Sequence, residues 1–176
     1  MDLVLSFNNS ANLLTDARQI IDKTKELAFR SVNVAMLQRN WYLGKRISEE
    51  ILQGEDRAEY GGQVILQLSK ELTEIYGKGF TKSYLYNFVR FYKTFPNIFQ
   101  SPIGQSKLLS WTHYNLLLDV SNDEARAWYA DEAYREGWSV RTMQRNISSL
   151  PSHAFVAAQR GRARGNEATH SSYANG

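Results

Sequence analysis

Apolar pairs recur every seven residues along the first third of the chain: Leu13-Leu14, Ile20-Ile21, Leu27-Ala28, Val34-Ala35 and Trp41-Tyr42. Small or polar residues, Ala17, Thr24, Ser31 and Gln38, sit between them. A seven-residue repeat holds one face of a helix apolar along its length. No proline interrupts residues 12–53, and Gly44 is the single glycine there. The pattern predicts a long helix after an N-terminal extension over residues 1–11. Unbroken, it would run about 60 Å at 1.5 Å per residue, more than one small domain can cover. Either Leu13, Ile20, Leu27, Val34 and Trp41 form a contact with another chain, or the helix breaks near Arg30–Asn33 and folds back as core. Gly54 and the charged Glu55-Asp56-Arg57 mark its exit.

Gly61-Gly62 opens a second periodic stretch, with Val64, Ile65, Leu68, Leu72 and Ile75 at helical spacing and Gly77 as its stop. The turn reads Gly77-Lys78-Gly79-Phe80. Thr81 is a suitable N-cap for a helix from Lys82 to about Phe95, closed by Pro96. Helix, short glycine-bearing turn, helix is the outline of a DNA-binding helix-turn-helix. Leu85, Phe88, Val89, Tyr92 and Phe95 share one face of the second helix, the expected core side. Lys82, Ser83, Tyr86, Asn87, Arg90 and Lys93 share the other, with no carboxylate among them.

The stretch from Pro96 to about Ser110 reads as a connector, and residues 106–150 as a second trihelical unit. Its first helix starts at Trp111 and ends near Val120. Ser121 and Glu124 predict a capping box for the next, which runs to Gly137. Ser139 caps the third, in which Val140, Met143, Ile147 and Leu150 align. Arg141, Gln144, Arg145 and Ser148 share another face of that helix. Residues 151–176 read as a flexible tail, rich in Gly, Arg, Ser, Asn and Ala over 160–176, in which Arg160, Arg162 and Arg164 add positive charge. The expectation is an all-α protein with a helical domain over 12–150, its first part being 12–96.

The net charge of +3 hides an uneven distribution. Residues 77–118 hold five bases (Lys78, Lys82, Arg90, Lys93, Lys107) and no acid, whereas residues 1–76 and 119–150 are each net −2. A basic segment between acidic ones points to a polyanionic partner. On the 82–93 face, Asn87 and Arg90 suit base edges, because amide and guanidinium groups bond bases in pairs. Lys78, Lys82, Ser83, Tyr86 and Lys93 suit phosphates, which fix register. One reading places a second nucleic-acid surface at Arg141, Gln144 and Arg145. The alternative for the 82–93 face is an ordinary solvated helix face; for Arg141, Gln144 and Arg145 it is support of the core or contact with an acidic neighbour, because that unit is net acidic.

Several chemistries find no residues. The chain has no cysteine, which excludes disulfides and thiolate ligands. His113, His153 and His170 are scattered, and no cluster has metal-ligand spacing. The neighbours Glu49-Glu50 and Asp131-Glu132 diverge by about 100° on a helix and cannot act as a dyad. The Gly-Lys-Gly turn lacks the spacing of a phosphate-cradling P-loop. No cofactor, metal or enzymatic activity is expected. No apolar run approaches the roughly 18 residues needed to cross a bilayer. The N-terminus carries an acid where a signal peptide has a base. A cytoplasmic protein is expected.

The segments Trp41–Ile47, Tyr76–Pro96, Leu109–Leu118, Ala125–Tyr129 and Gly137–Arg145, in that order, resemble the N-terminal domain of the bacterial YhcG family. The likeness covers about residues 13–150. The resemblance implies a helix-turn-helix-like DNA-binding module beside a C-terminal nuclease domain of the PD-(D/E)XK type. No carboxylate–lysine constellation of that kind occurs in this sequence, so the family's catalytic residues have no positions here. Metal-dependent phosphodiester cleavage needs those carboxylates to hold the ion. A truncated member or a stand-alone binding domain is expected. The function expected is non-catalytic binding of double-stranded DNA, targeting or regulating a nuclease partner. The alternative is an assembly scaffold, such as a homodimer, acting through the heptad helix.

Overall fold

The structure, a computed structural model, describes residue 7 and residues 9–53, 57–100 and 108–149. Among the described residues there are six α-helices, a 3-10 turn and no strand. The chain divides into two compact units, one ending at Ser101 and the other beginning at Pro102. The all-α expectation holds. The expected exit at Gly54, the side chains of Lys107 and Leu150, and the tail all lie outside the described residues.

The first unit is built on α1, Leu13–Gln53, which runs unbroken through Arg30–Asn33. Its start is fixed by Asn12, whose Oδ1 accepts from the Thr15 N–H at 3.1 Å. Asp16, in the first turn, accepts from the Ser10 N–H and hydroxyl. A carboxylate there also complements the helix dipole. Helix α2, Arg57–Tyr76, begins before Gly61-Gly62 rather than at that pair. Gly61 is buried in the helix against Ile51 of α1, so the glycines mark a packing site and not a start. Gly77 ends α2 with a positive φ of 87°, a conformation other residues rarely adopt. The 3-10 turn Lys78–Phe80 then leads to α3, Lys82–Thr94. Thr81 occupies the N-cap position, but its side chain makes no capping bond there.

Helix α3 lies chiefly along the second half of α1, with α2 against both. It buries Leu85, Phe88, Val89 and Phe91. Phe91 replaces the expected Tyr92 and Phe95, which are half-buried. A helix held between two neighbours buries a wider arc than a one-sided stripe predicts. The α1–α3 approach depends on Gly44, where an added Cβ would lie 1.9 Å from the Phe88 carbonyl oxygen. Trp41 closes the far end of this seam. Its indole N–H donates to the Phe95 carbonyl at 3.0 Å, satisfying a carbonyl at the C-terminus of α3. Its ring meets Tyr92 and Phe99 edge-on, with centroids 5.1 and 5.8 Å away. Trp41 is thus buried core, which corrects its expected role as a contact with another chain.

The second unit packs α4 (Trp111–Leu118), α5 (Asp123–Arg135) and α6 (Val140–Ser149) against one another. Ser110 caps α4, and Asn122, not Ser121, caps α5 by accepting from the Ala125 N–H at 2.8 Å. The Ser121–Glu124 capping box is therefore not formed. The core contains Tyr114, Leu117, Tyr129, Ala133 and Met143. Burial pushes the Tyr114 phenol up to about 12, with a backbone hydrogen bond to Leu109 acting the other way. His113 ties the unit together: one ring nitrogen meets Ser110 Oγ at 2.6 Å and the other the Trp138 carbonyl at 3.0 Å. Both nitrogens are engaged within the unit, consistent with a structural residue.

Candidate nucleic-acid interface

The amphipathic division of α3 decides where its charges go. With Leu85, Phe88, Val89 and Phe91 turned into the core, Lys82, Ser83, Tyr86, Arg90 and Lys93 are exposed and Asn87 is half-buried. Lys78, in the turn before α3, is exposed as well. Among the described residues Lys78, Lys82 and Lys93 have no ion-pair partner. By contrast, Arg46 pairs with Glu50 at 2.6 Å, and Arg135 with Glu132 at 2.9 Å. The cationic strip of α3 is thus held rigid behind and open in front.

Neighbouring side chains shape the strip. Arg90 Nη1 lies 3.4 Å from Asn87 Oδ1, bringing guanidinium and amide side by side. The Lys82 ammonium sits 5.9 Å from the centre of the Tyr86 ring. Tyr86, about two-fifths exposed, places an aromatic ring among the cations.

Arg39 on α1 was not legible as part of this region. Its guanidinium lies 5.2 Å over the Phe80 ring, beside the α2–α3 turn. It also donates to Oδ1 of the buried Asn40 at 3.0 and 2.9 Å, which orients it. Among the described residues Asn40 Nδ2 has no hydrogen-bond partner, an unusual cost for a buried amide. No spacing rule links Arg39 to Phe80, since the contact exists only once α1 and the turn pack together.

The other predicted residues fall elsewhere. Leu13 and Ile20 are exposed on the first half of α1, and Leu27 and Val34 are half-buried. Arg141, Gln144 and Arg145 are exposed on α6 of the second unit. A groove of about 330 Å³ between α1 and α2 is lined by Arg46, Glu50, Gln67 and Glu71 among others. Its polar groups bond one another, Arg46 to Glu50 and Gln67 to Glu71 at 3.0 Å, leaving little to grip a ligand. Among the described residues no three His, Asp or Glu side chains gather in a way that could hold a metal. No described helix is long and apolar enough to cross a membrane.

Fold and surface together define a two-unit helical module that carries an open cationic strip. The family model described as the DUF1016 N-terminal domain matches residues 16–152, and the chain belongs to that family. The chain is similar to the "Putative nuclease YhcG" of Escherichia coli (strain K12), at 32% identity over 158 aligned positions. That alignment takes in 74% of this chain but 42% of the relative, so the chain spans less than half of that protein's length. The resemblance to the YhcG family's N-terminal domain is thereby established. No solved structure matches the chain with significance.

Proposed function

We propose that the first unit binds double-stranded DNA through the exposed face of α3, without catalysing a reaction, as the targeting or regulatory module of a nuclease system. The name of the Escherichia coli relative supports the nuclease connection. The observation that carries the binding role is the acid-free cationic face of α3, on which Lys82 and Lys93, with Lys78 before them, lack ion pairs among the described residues. In this reading Asn87 and Arg90 contact base edges. Lys78, Lys82, Ser83, Tyr86 and Lys93 contact phosphates, and Arg39 adds charge at the turn.

Fluorescence anisotropy of a labelled duplex across a salt series tests this. Replacing Lys82 and Lys93 by Gln should flatten the log–log salt dependence by about 0.9 per lost phosphate contact, about 1.8 in all. An unchanged slope refutes the α3 reading. Tighter binding of single-stranded RNA than of duplex would redirect it, since an exposed tyrosine among cations also suits a stacked base.

A second reading is favoured by one observation. Leu13, Leu14, Ile21, Phe29 and Val32 are all more than half exposed on the first half of α1. An apolar repeat with small residues between the large ones suits packing against a second copy of the same helix. Self-association through this half of α1 is compatible with DNA binding through α3.

A further inference from the structure

The second unit separates its charges by helix. All of its described acids lie on α5, its flanks, or the residue after α4, and most of the bases beside them are spent on them. Arg126 pairs with Asp123 at 2.6 Å and also donates to the Val120 carbonyl. Arg135 pairs with Glu132 and lies 3.5 Å from Glu136. Helix α6 carries no acid at all. Arg141 and Arg145, both exposed, have no ion-pair partner among the described residues.

The local fold explains why these two arginines stand out. Met143 is fully buried, and Val140 and Ile147 are half-buried on the same side. That fixes the rotation of α6, and Arg141, Gln144, Arg145 and Ser148 must share the outward side. Residues 141 and 145 are one turn apart, so their guanidinium groups project as neighbours. Thr142 is held by Ser139, whose hydroxyl accepts its N–H at 3.1 Å, and Ser148 donates back to the Gln144 carbonyl at 2.9 Å. Arg141, Thr142, Gln144, Arg145 and Ser148 line a depression of about 460 Å³.

We propose that this face of α6 is a second nucleic-acid surface, with Arg141 and Arg145 gripping duplex phosphates and Gln144 between them. Guanidinium groups bind phosphate in a two-pronged fashion, and a pair one helical turn apart can hold neighbouring groups of one strand. The depression is polar and cationic, which disfavours an apolar ligand or an acid-poor protein surface. The inference rests on the α3 reading only for the identity of the polymer.

The test uses the full chain and a labelled duplex several helical turns long, between about 50 and 200 mM salt. Replacing Arg141 and Arg145 by Gln should flatten the log–log slope by about 1.8, and replacing both by Lys should leave the slope near that of the parent chain. A Gln pair that binds like the parent overturns the proposal. Equal loss in the Gln and Lys pairs also overturns it, since that signals a structural role. If the Lys82→Gln/Lys93→Gln variant loses slope while the Gln pair at 141 and 145 does not, α3 stands and α6 falls. The reverse pattern sustains α6 and removes α3. Absence of duplex binding by the parent chain removes both.

Discussion

In the second half of α1, Leu37, Trp41 and Ile47 are 0, 7 and 3% exposed, whereas in the first half Leu13, Leu14 and Ile21 are 85, 61 and 51% exposed. One continuous helix spans both sets, and Leu13, Leu14, Ile21 and Trp41 belong to one seven-residue repeat along it. The difference comes from partners and rotation. Helix α3, 13 residues and about 20 Å long, reaches only part of a 41-residue helix of about 60 Å. A straight helix also drifts by about 20° per heptad against a strict seven-residue repeat. Over the four heptads from Leu13 to Trp41 the stripe turns by roughly 80°. Trp41 therefore reaches the α3 seam, while Leu13 does not. The repeat records that a face is apolar and leaves open what covers it.

The sharpest way to break this comparison is at its covered end. Trp41→Ala removes a buried indole, three aromatic edges and the hydrogen bond to Phe95. It should cost about 3–5 kcal/mol in urea unfolding. A loss near zero would mean that the α1–α3 seam does not hold the first unit together. The same geometry means that Trp41→Asp would unfold the unit rather than report on any contact with another chain.

Gly44→Ala tests the seam from its other side. The added methyl meets the Phe88 carbonyl backbone and cannot be absorbed by a flexible side chain. Overpacking of this kind costs about 1–3 kcal/mol, and α3 must shift to accept it. The expected result is a lower urea midpoint and weaker duplex binding together, because α3 carries the proposed contacts. Weaker stability with unchanged binding would uncouple the seam from the α3 face.

These two positions also show what could be read from sequence. The polar face of α3 was legible, because period and charge alone sort Lys82, Tyr86, Arg90 and Lys93 from Leu85 and Phe88. The helices themselves were legible from periodicity, Pro96 and Gly77. Contacts made between distant elements were not. Gly44 stood out as the lone glycine of α1, but only the packed structure shows the Phe88 backbone against it. Phe91 belonged to neither the apolar stripe nor the polar face read from the sequence, and the packed structure shows it fully buried. Asn122 outcompeted Ser121 as a cap although both are good caps, a choice of one residue that pattern does not make.

The exposed end of α1 supplies the smallest effect on stability and the finest distinction. Ile21→Ala removes a side chain that is half exposed, so the fold should change by less than about 0.5 kcal/mol. If the first half of α1 pairs with a second copy, the same substitution acts on the assembly instead. Sedimentation should then show a lower mass for Ile21→Ala, and a lower one still for Leu14→Asp/Ile21→Asp, at equal helix content. The melting temperature of the parent chain should rise with protein concentration, because association stabilises the folded form by mass action. That dependence should vanish in the Asp pair. A parent chain that sediments as a monomer at every concentration removes the self-association reading. It also leaves α1 as a helix whose first half is apolar and uncovered, which the Asp pair would then tolerate without loss of duplex binding.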